Sequence, residues 1–385
     1  MEVTLTSDIT HRAPITALIH LSALAHNVAQ LRQHTGPYCQ ILAIVKADAY
    51  GHGTLPISKA LIDLGITQLG VATIQEGIYL REHGIQCKII VLGGLLSTHI
   101  GEVIQFALTP VISDPKLLSL LAQHLPAEHA PYPIHLKVDT GMHRLGLDPQ
   151  TLQSVLQSSL VGSTFQLEGL MTHLADADNP DQTFSLSQLE QFKNMVSLVQ
   201  SEGHSIPLVH AANTAGILFH EASHFSMVRP GLMLYGYAPH SSSETLPSLQ
   251  PIMEIQTKIV HIRTVKKHEP LSYSGSFRTK GPSRIAILPI GYAHGYSRRL
   301  WNKGHVLVGK RRAPIVGKIC MDMTLIDITD IPEAQSEAEV VILGKQGDEE
   351  ITARDLADWQ ETIPYEVLCN LGPRIHRVYE PPFTG

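Results

Sequence analysis

The sequence predicts an α/β protein. Its first part closes into a (β/α)8 barrel of the TIM type, and a mostly β C-terminal domain follows. Three observations carry this. Short β-branched apolar runs alternate with stretches of helical period through the first part of the 385-residue chain, as in an α/β architecture. Eight such runs are present and nearly continuous in apolar character, as parallel strands buried on both faces are. Past a Ser- and Pro-rich stretch, APHSSSETLPSLQP (238–251), strand alternation replaces helical period. The expected domains are 10–247 and 248–385, with residues 1–9 pairing with the second.

In order, the expected barrel strands are ILAIVKADA (41–49), LGVATI (69–74), KIIVLGG (88–94), LTPVIS (108–113), IHLKVDT (134–140), FQLEGLMTHL (165–174), PLVHAAN (207–213) and MVRPGLMLYG (227–236). Helices fall between them. SALAHNVAQLRQHTG (22–36) starts at a Ser cap and stops at Gly36, and 57–65 and 75–84 also end at glycine. The long helix 185–203 places Leu186, Leu189, Phe192, Met195, Val196 and Val199 on one stripe. In the tail, 254–265, 284–292, 305–328 and 338–344 read as strands.

Composition excludes several classes. Lys and Arg total 29 against 35 acidic residues, a formal net charge of -6, which gives little pull toward nucleic acid or anionic lipid. No apolar run spans a bilayer, and the polar start MEVTLTSDITHRAP has no signal-peptide pattern, so a cytoplasmic location is expected. The cysteines Cys39, Cys87, Cys320 and Cys369 form no C-x-x-C pair. The 22 histidines are scattered rather than set at ligand spacing, so no metal is expected.

Active sites of such barrels lie at the C-terminal strand ends. That rule collects Lys46 from the first strand, Lys137 with Arg144 from the fifth, His173 from the sixth, Asn213 and Thr214 from the seventh, and Arg229 from the eighth. Each alone has a structural explanation; their convergence on one rim points to chemistry. A buried lysine loses charge and becomes a nucleophile able to form an imine. The loop after Lys46, DAYGHGTLPISKAL, has glycines that let the chain approach a bound group and N–H groups suited to phosphate. A phosphorylated aldehyde cofactor held on lysine, pyridoxal 5'-phosphate, needs these parts.

Together AIVKADAYGHG, KVDTGMHRLG, GLMTHLADAD, HAANTAG, VRPGLMLYG, LSYSGSF, GYAHGY, GKICMDMTLIDI and PYEVLC resemble the alanine racemases, in family order from about residue 10 to about 380. The resemblance implies a homodimeric pyridoxal-phosphate isomerase with active sites shared between subunits. It would interconvert L- and D-alanine, a small-molecule substrate, and supply D-alanine for peptidoglycan. It makes Lys46 the aldimine lysine and the base on one face. Tyr273 of the partner subunit is the opposite base. Arg229 faces the pyridine nitrogen, and His173 links Arg229 to Tyr273. Arg144 contacts the ring oxygen and the substrate carboxylate, which also meets the Met321 backbone. Tyr50, Thr214, Gly231 and Tyr365 contact the phosphate, with Asn213 beside them on the cofactor rim. Lys137 matches the lysine carbamylated in many relatives, and Tyr292 and Arg298 line the entrance.

Three positions depart from the family: His294 for Asp, Lys318 for Arg and Met323 for Gln. Near an entrance, the first two predict altered substrate access or pH profile. Three rivals stand beside this reading. A fold-related decarboxylase would carry glutamate where Arg229 stands. A pyridoxal-phosphate carrier would lack the C-terminal domain. A racemase of serine or a broader amino-acid range differs only in pocket volume.

Overall fold

The computed structural model describes residues 13–239 and 246–380. The expected pairing of residues 1–9 and residues 240–245 of the Ser-rich stretch lie outside the described residues. The first strand, β1 (Ile15–His20), belongs with the C-terminal part of the chain. It pairs antiparallel with β10 (Met253–Lys258) and parallel with β20 (His376–Glu380), although the sequence expectation put residue 10 onward in the barrel. Its alternating burial explains why it fits one face of a mixed sheet rather than a barrel buried on both faces.

The barrel is built from β2 (Gln40–Ile44), β3 (Gln68–Val71), β4 (Lys88–Val91), β5 (Thr109–Ile112), β6 (Tyr132–Lys137), β7 (Phe165–Met171), β8 (Leu208–His210) and β9 (Met227–Val228). Neighbours pair in parallel in the order β8-β7-β6-β5-β4-β3-β2-β9. Ser226 N donates to Val209 O at 3.2 Å and Arg229 N to Ala212 O at 2.9 Å, linking the two ends. Eight parallel strands in a nearly closed ring is the barrel the sequence predicts.

Two strands are shorter than expected. β9 stops at Val228 because Pro230 has no N–H to give, and 231–236 coil through successive i to i+3 hydrogen bonds. β2 stops at Ile44, and the chain then makes a turn of left-handed helix, described below. The helix Thr183–Ser201 also differs in its stripe. Leu186 is exposed, and Gln188 is buried on the core side instead. Gln188 Oε1 accepts from Ala175 N at 2.9 Å, and its amide nitrogen reaches Thr140 Oγ1 and His173 O. This end of the helix faces polar loop backbone, which an amide satisfies and a leucine cannot.

In the other unit, β15 (His305–Val308), β16 (Arg311–Pro314), β18 (Glu339–Gln346) and β19 (Glu349–Ile351) extend the sheet of β1, β10 and β20, in the order β16-β15-β18-β10-β1-β20 with β19 on β18. A second sheet joins β11 (His261–Val265), β14 (Ser283–Leu288) and β17 (Thr324–Asp327). The small hairpin of β12 (Pro270–Leu271) and β13 (Phe277–Arg278) carries Tyr273 at its tip.

Candidate active site

The barrel unit gathers four cations at its C-terminal strand ends. Lys46 follows β2, Lys137 ends β6, Arg144 sits in the next loop and Arg229 follows β9. Their mutual repulsion is felt at Lys137, which is 5% exposed. Burial first, then Arg229 and Arg144, push its ammonium down to about 8, against the weaker pull of Asp139.

Arg229 is the best-fixed of the four. Nη1 donates to His210 O at 2.9 Å, and Nη2 donates to Thr172 O and Ala211 O, each at 2.9 Å. Nη1 also lies 3.3 Å from His210 Nδ1, and Nη2 lies 3.2 Å from His173 Nδ1. Burial pushes the guanidinium down to about 9, still above neutrality, so it stays protonated. Because a guanidinium donates and never accepts, both imidazoles turn a lone pair toward it and carry their protons on Nε2. Burial, then Arg229, Lys137, Arg144 and Lys46, hold His173 well below the usual histidine range. His173 is therefore a neutral ring whose Nε2–H remains to donate.

The turn after Lys46 is strained. Ala47, Asp48, Ala49 and Tyr50 all have φ between 51° and 54°. Such a left-handed turn of L-residues costs about 1–2 kcal/mol per residue. Glu76 holds it: one carboxylate oxygen accepts from Ala47 N at 2.7 Å, the other from Ala72 N at 2.7 Å and Thr73 N at 3.1 Å. Asp48 Oδ1 accepts from Thr54 N at 2.8 Å. Sequence reasoning missed Glu76, although its place in the capping box Thr73–Glu76 is a readable signal. Replacing Glu76 by Ala is expected to cost about 2–4 kcal/mol, since three charge-assisted bonds are lost. Urea unfolding midpoints check this.

Thr214 Oγ1 accepts from Gly231 N at 3.2 Å and Met233 N at 3.3 Å, a small cluster of hydroxyl and N–H groups. Asn213 caps the helix that follows, its Oδ1 accepting from Gly216 N at 2.9 Å. Arg144 is exposed in a loop closed by Leu147 N to Lys137 O at 2.8 Å. Gly146 has φ 144°, and a Cβ there would meet Asp139 N at 2.4 Å, so this loop requires glycine.

The C-terminal unit carries the remaining residues. Tyr273 is 63% exposed between Ser272 (φ 59°, ψ -172°) and Ser274 (φ 61°). Backbone of the Ser272 kind is nearly confined to glycine, and its cost is of order 1–3 kcal/mol. Ser272 Oγ donates to Lys318 O, and Lys318 Nζ donates to Ser274 Oγ at 3.3 Å, so Lys318 clasps the loop from both sides. Tyr273, Tyr292, Arg298 and Ile319 line an open depression of about 320 Å³. Met321 is brought close to Gly291, where a Cβ would meet Cys320 O at 2.3 Å. The Tyr50 and Tyr365 rings lie 5.9 Å apart. Burial, then Tyr365 and Cys369, push the Tyr50 phenol up, so it remains a donor.

Two expectations need correction. Gly51 and Gly53 do not clear space for a bound group. A Cβ at Gly51 would meet Leu368 O at 2.3 Å, and one at Gly53 would meet the Tyr379 hydroxyl at 1.9 Å. The glycines admit the chain's own C-terminal segments. His294 is not on the surface that Tyr292 and Arg298 line. It is 5% exposed, and its Nδ1 accepts from Gly291 N at 3.2 Å, a job an aspartate oxygen would do equally well.

An eight-stranded parallel barrel with a lysine and a rim of cations at its C-terminal strand ends, followed by a separate β unit, defines a class: the (β/α)8-barrel enzymes, whose chemistry lies at that end of the barrel. Comparison with known proteins narrows it. The profile "Alanine racemase, N-terminal domain" matches residues 19–239, and "Alanine racemase, C-terminal domain" matches 252–379. The chain is 41% identical to the alanine racemase of Thermodesulfovibrio yellowstonii over 95% of its own length and 97% of that protein. It superposes on the alanine racemase of Clostridium difficile 630 with a TM-score of 0.90 at 31% identity, covering 96% of each chain. It superposes on the Bartonella henselae alanine racemase with covalently bound pyridoxal phosphate with a TM-score of 0.87 at 30% identity, covering 96% of this chain and all of that one. The chain belongs to the alanine racemase family, a family of pyridoxal-phosphate-dependent isomerases.

The donor set fits that cofactor. Lys46 is a primary amine at a strand end. At Lys137 three rim cations, Arg229, Arg144 and Lys46, act against a single carboxylate, Asp139, an excess of positive charge that suits an anion. Among the described residues Arg229's hydrogen bonds are made by its terminal nitrogens, which leaves Nε–H as a donor suited to a bound group.

Proposed function

We propose that this protein interconverts L- and D-alanine by proton transfer at the α carbon. It would act as a cytoplasmic homodimer and supply D-alanine for peptidoglycan. Pyridoxal phosphate, when bound, supplies an electron sink that acidifies the α proton. The chain's own residues do the rest. Lys46 holds the cofactor covalently and works as a base on one face. Tyr273 of the partner subunit would serve the other face, since one base would have to reach both sides of the α carbon while two need not. The exposure of Tyr273 on a single chain supports this. The Nε2–H of neutral His173 is suited to hold the phenolate and so lower the tyrosine's pKa.

Arg144 and the Met321 backbone would orient the substrate carboxylate. Tyr50, Thr214, Gly231 and Tyr365 would hold the phosphate, with Asn213 fixing the Thr214 turn, while Tyr292 and Arg298 screen the entrance. None of the four cysteines forms a disulfide, which supports a reducing compartment. Among the described residues no helix is long and apolar enough to cross a membrane.

The observation that carries this reading is Arg229, a buried, protonated guanidinium where a decarboxylase would place a carboxylate. The test is to mix pure protein with L-alanine and follow D-alanine, with serine and lysine as comparators. Alanine is expected to turn over fastest. The protein should be yellow, and Lys46→Ala should bleach it and lower racemisation by at least about 10⁴-fold. A yellow, active Lys46→Ala enzyme would end the reading.

Lys137 is proposed to take up carbon dioxide as a carbamate that orients Arg144. Only the neutral amine reacts. With its pKa near 8, roughly a tenth is neutral at pH 7, hundreds of times more than for a solvated lysine. Carbon-13 NMR in labelled bicarbonate is expected to show one carbamate resonance that Lys137→Gln abolishes. The same shift has a stability sign. Between about pH 8 and 10.5 the unfolded chain holds this proton and the folded chain does not, so this group's contribution to stability rises with pH across that window.

A further inference from the structure

A row of side chains runs through the barrel interior behind Arg229. His210, whose Nδ1 faces Arg229, presents Nε2 to His135 Nδ1 at 2.9 Å. His135 Nε2 faces Glu168 Oε2 at 3.4 Å, and the other oxygen of Glu168 takes the Lys88 ammonium. Both histidines are fully buried. Neither His135 Nε2 nor Glu168 Oε2 makes a hydrogen bond that meets strict geometry among the described residues; the polar group each approaches is the other, at 3.4 Å. The direction of the row follows from its two ends. A guanidinium donates only and a carboxylate accepts only. With His210 Nδ1 accepting, its proton sits on Nε2 and goes to His135. The His135 proton then also sits on Nε2 and points at Glu168.

The backbone is shaped for this row. Ile134 pairs with Leu167 but His135 pairs with Gly169, so Glu168 is the extra residue of a β-bulge, a device that re-aims a side chain. A Cβ at Gly169 would meet His135 Nδ1 at 2.3 Å, so the imidazole lies where any side chain at 169 would go. Lys88 opens β4 and so enters from the barrel end opposite Lys46. A core that had only to be filled would take apolar residues here, which are often as stable as a buried ion pair.

We propose that Glu168, held by Lys88, is a remote positioning residue for Arg229: through His135 and His210 it fixes the ring protons so that a lone pair, not a proton, faces the guanidinium. Without the carboxylate, His135 is free to carry its proton on Nδ1. It would then donate to His210 Nε2, and the His210 proton would move to Nδ1, where two donors confront each other. Arg229 would have to shift. This rests on the reading of Arg229 as the partner of the cofactor's ring nitrogen.

The test uses holoenzyme with nitrogen-15 histidine. The ring signals of His135 and His210 are assigned by their loss in His135→Gln and His210→Gln. Both are expected as Nε2–H tautomers that do not titrate near neutrality. In Glu168→Leu/Lys88→Met, which leaves no lone buried charge, an Nδ1–H signal should appear at His210. There kcat for alanine should fall about tenfold with KM little changed, and Lys88→Met/Glu168→Gln, which keeps an acceptor, should recover part of it. Wild-type His210 protonated on Nδ1 overturns the proposal, and that measurement needs no variant to fold. Unchanged tautomers or unchanged kcat in the double variant also overturn it. A wild-type enzyme that leaves alanine untouched fails the functional reading instead, while the ring signals of that sample still decide this one.

Discussion

Tyr273→Phe is expected to lower racemisation by about 10²–10⁴-fold, the usual worth of a positioned general base. The loss must be equal in both directions, because mirror-image alanines have equal free energy and kcat/KM is bound to that equilibrium. The partial reactions should not be equal. In heavy water, Lys46 can still exchange the α hydrogen of the enantiomer whose proton faces it, without inverting the carbon. The other enantiomer loses its only base. Mass spectrometry should therefore find deuterium entering one alanine far faster than the other. The fold should not feel the change, since Tyr273 is largely exposed and the strain lies in its serine neighbours. Exchange that remains equal for both enantiomers would show that lysine and tyrosine do not divide the two faces.

Arg229→Glu is expected to act on reaction path as well as rate. On the proposed reading Arg229 would meet the cofactor's ring nitrogen, and because an arginine does not give up its proton it would leave that nitrogen unprotonated. A glutamate there would instead hold a proton at that nitrogen and strengthen the electron sink the cofactor would supply. Transaminated cofactor should accumulate, and racemisation should fall by about 10²–10³-fold with the loss of the preorganised cation. The substitution is also structurally costly. It strips hydrogen bonds from Thr172 O, His210 O and Ala211 O, at about 1–3 kcal/mol for each carbonyl left buried and unpaired. Thermal unfolding should accompany the kinetics, and a folded variant that forms no more transaminated cofactor than wild type would remove this role from Arg229.

Much of this was legible one residue at a time. Lys46, Lys137 and Arg229 stand where apolar runs end, and that position alone places them on a barrel rim. β1 was not legible, because its partners β10 and β20 lie hundreds of residues away and six alternating residues carry no sign of them. The left-handed turn was read as strand, because Ala47 to Tyr50 have ordinary side chains; what holds them is Glu76, reached only in three dimensions. The glycines after Lys46 suggest an approach to a bound group, but the groups that approach them, Leu368 and Tyr379, come from the far end of the chain.

By itself the sequence determined the barrel, the second β unit, the family and the rim residues, because strand period and motif order are local properties that survive without coordinates. Only the tertiary structure decided which groups face the ring nitrogens of His173, His210 and His135, how far Lys137 is shifted, and that Glu168 turns into the barrel. Those are properties of neighbours rather than of residues. A proton's place on a ring, or an amine's share of its charge, depends on donors, acceptors and burial within a few ångströms, and folding alone brings these together.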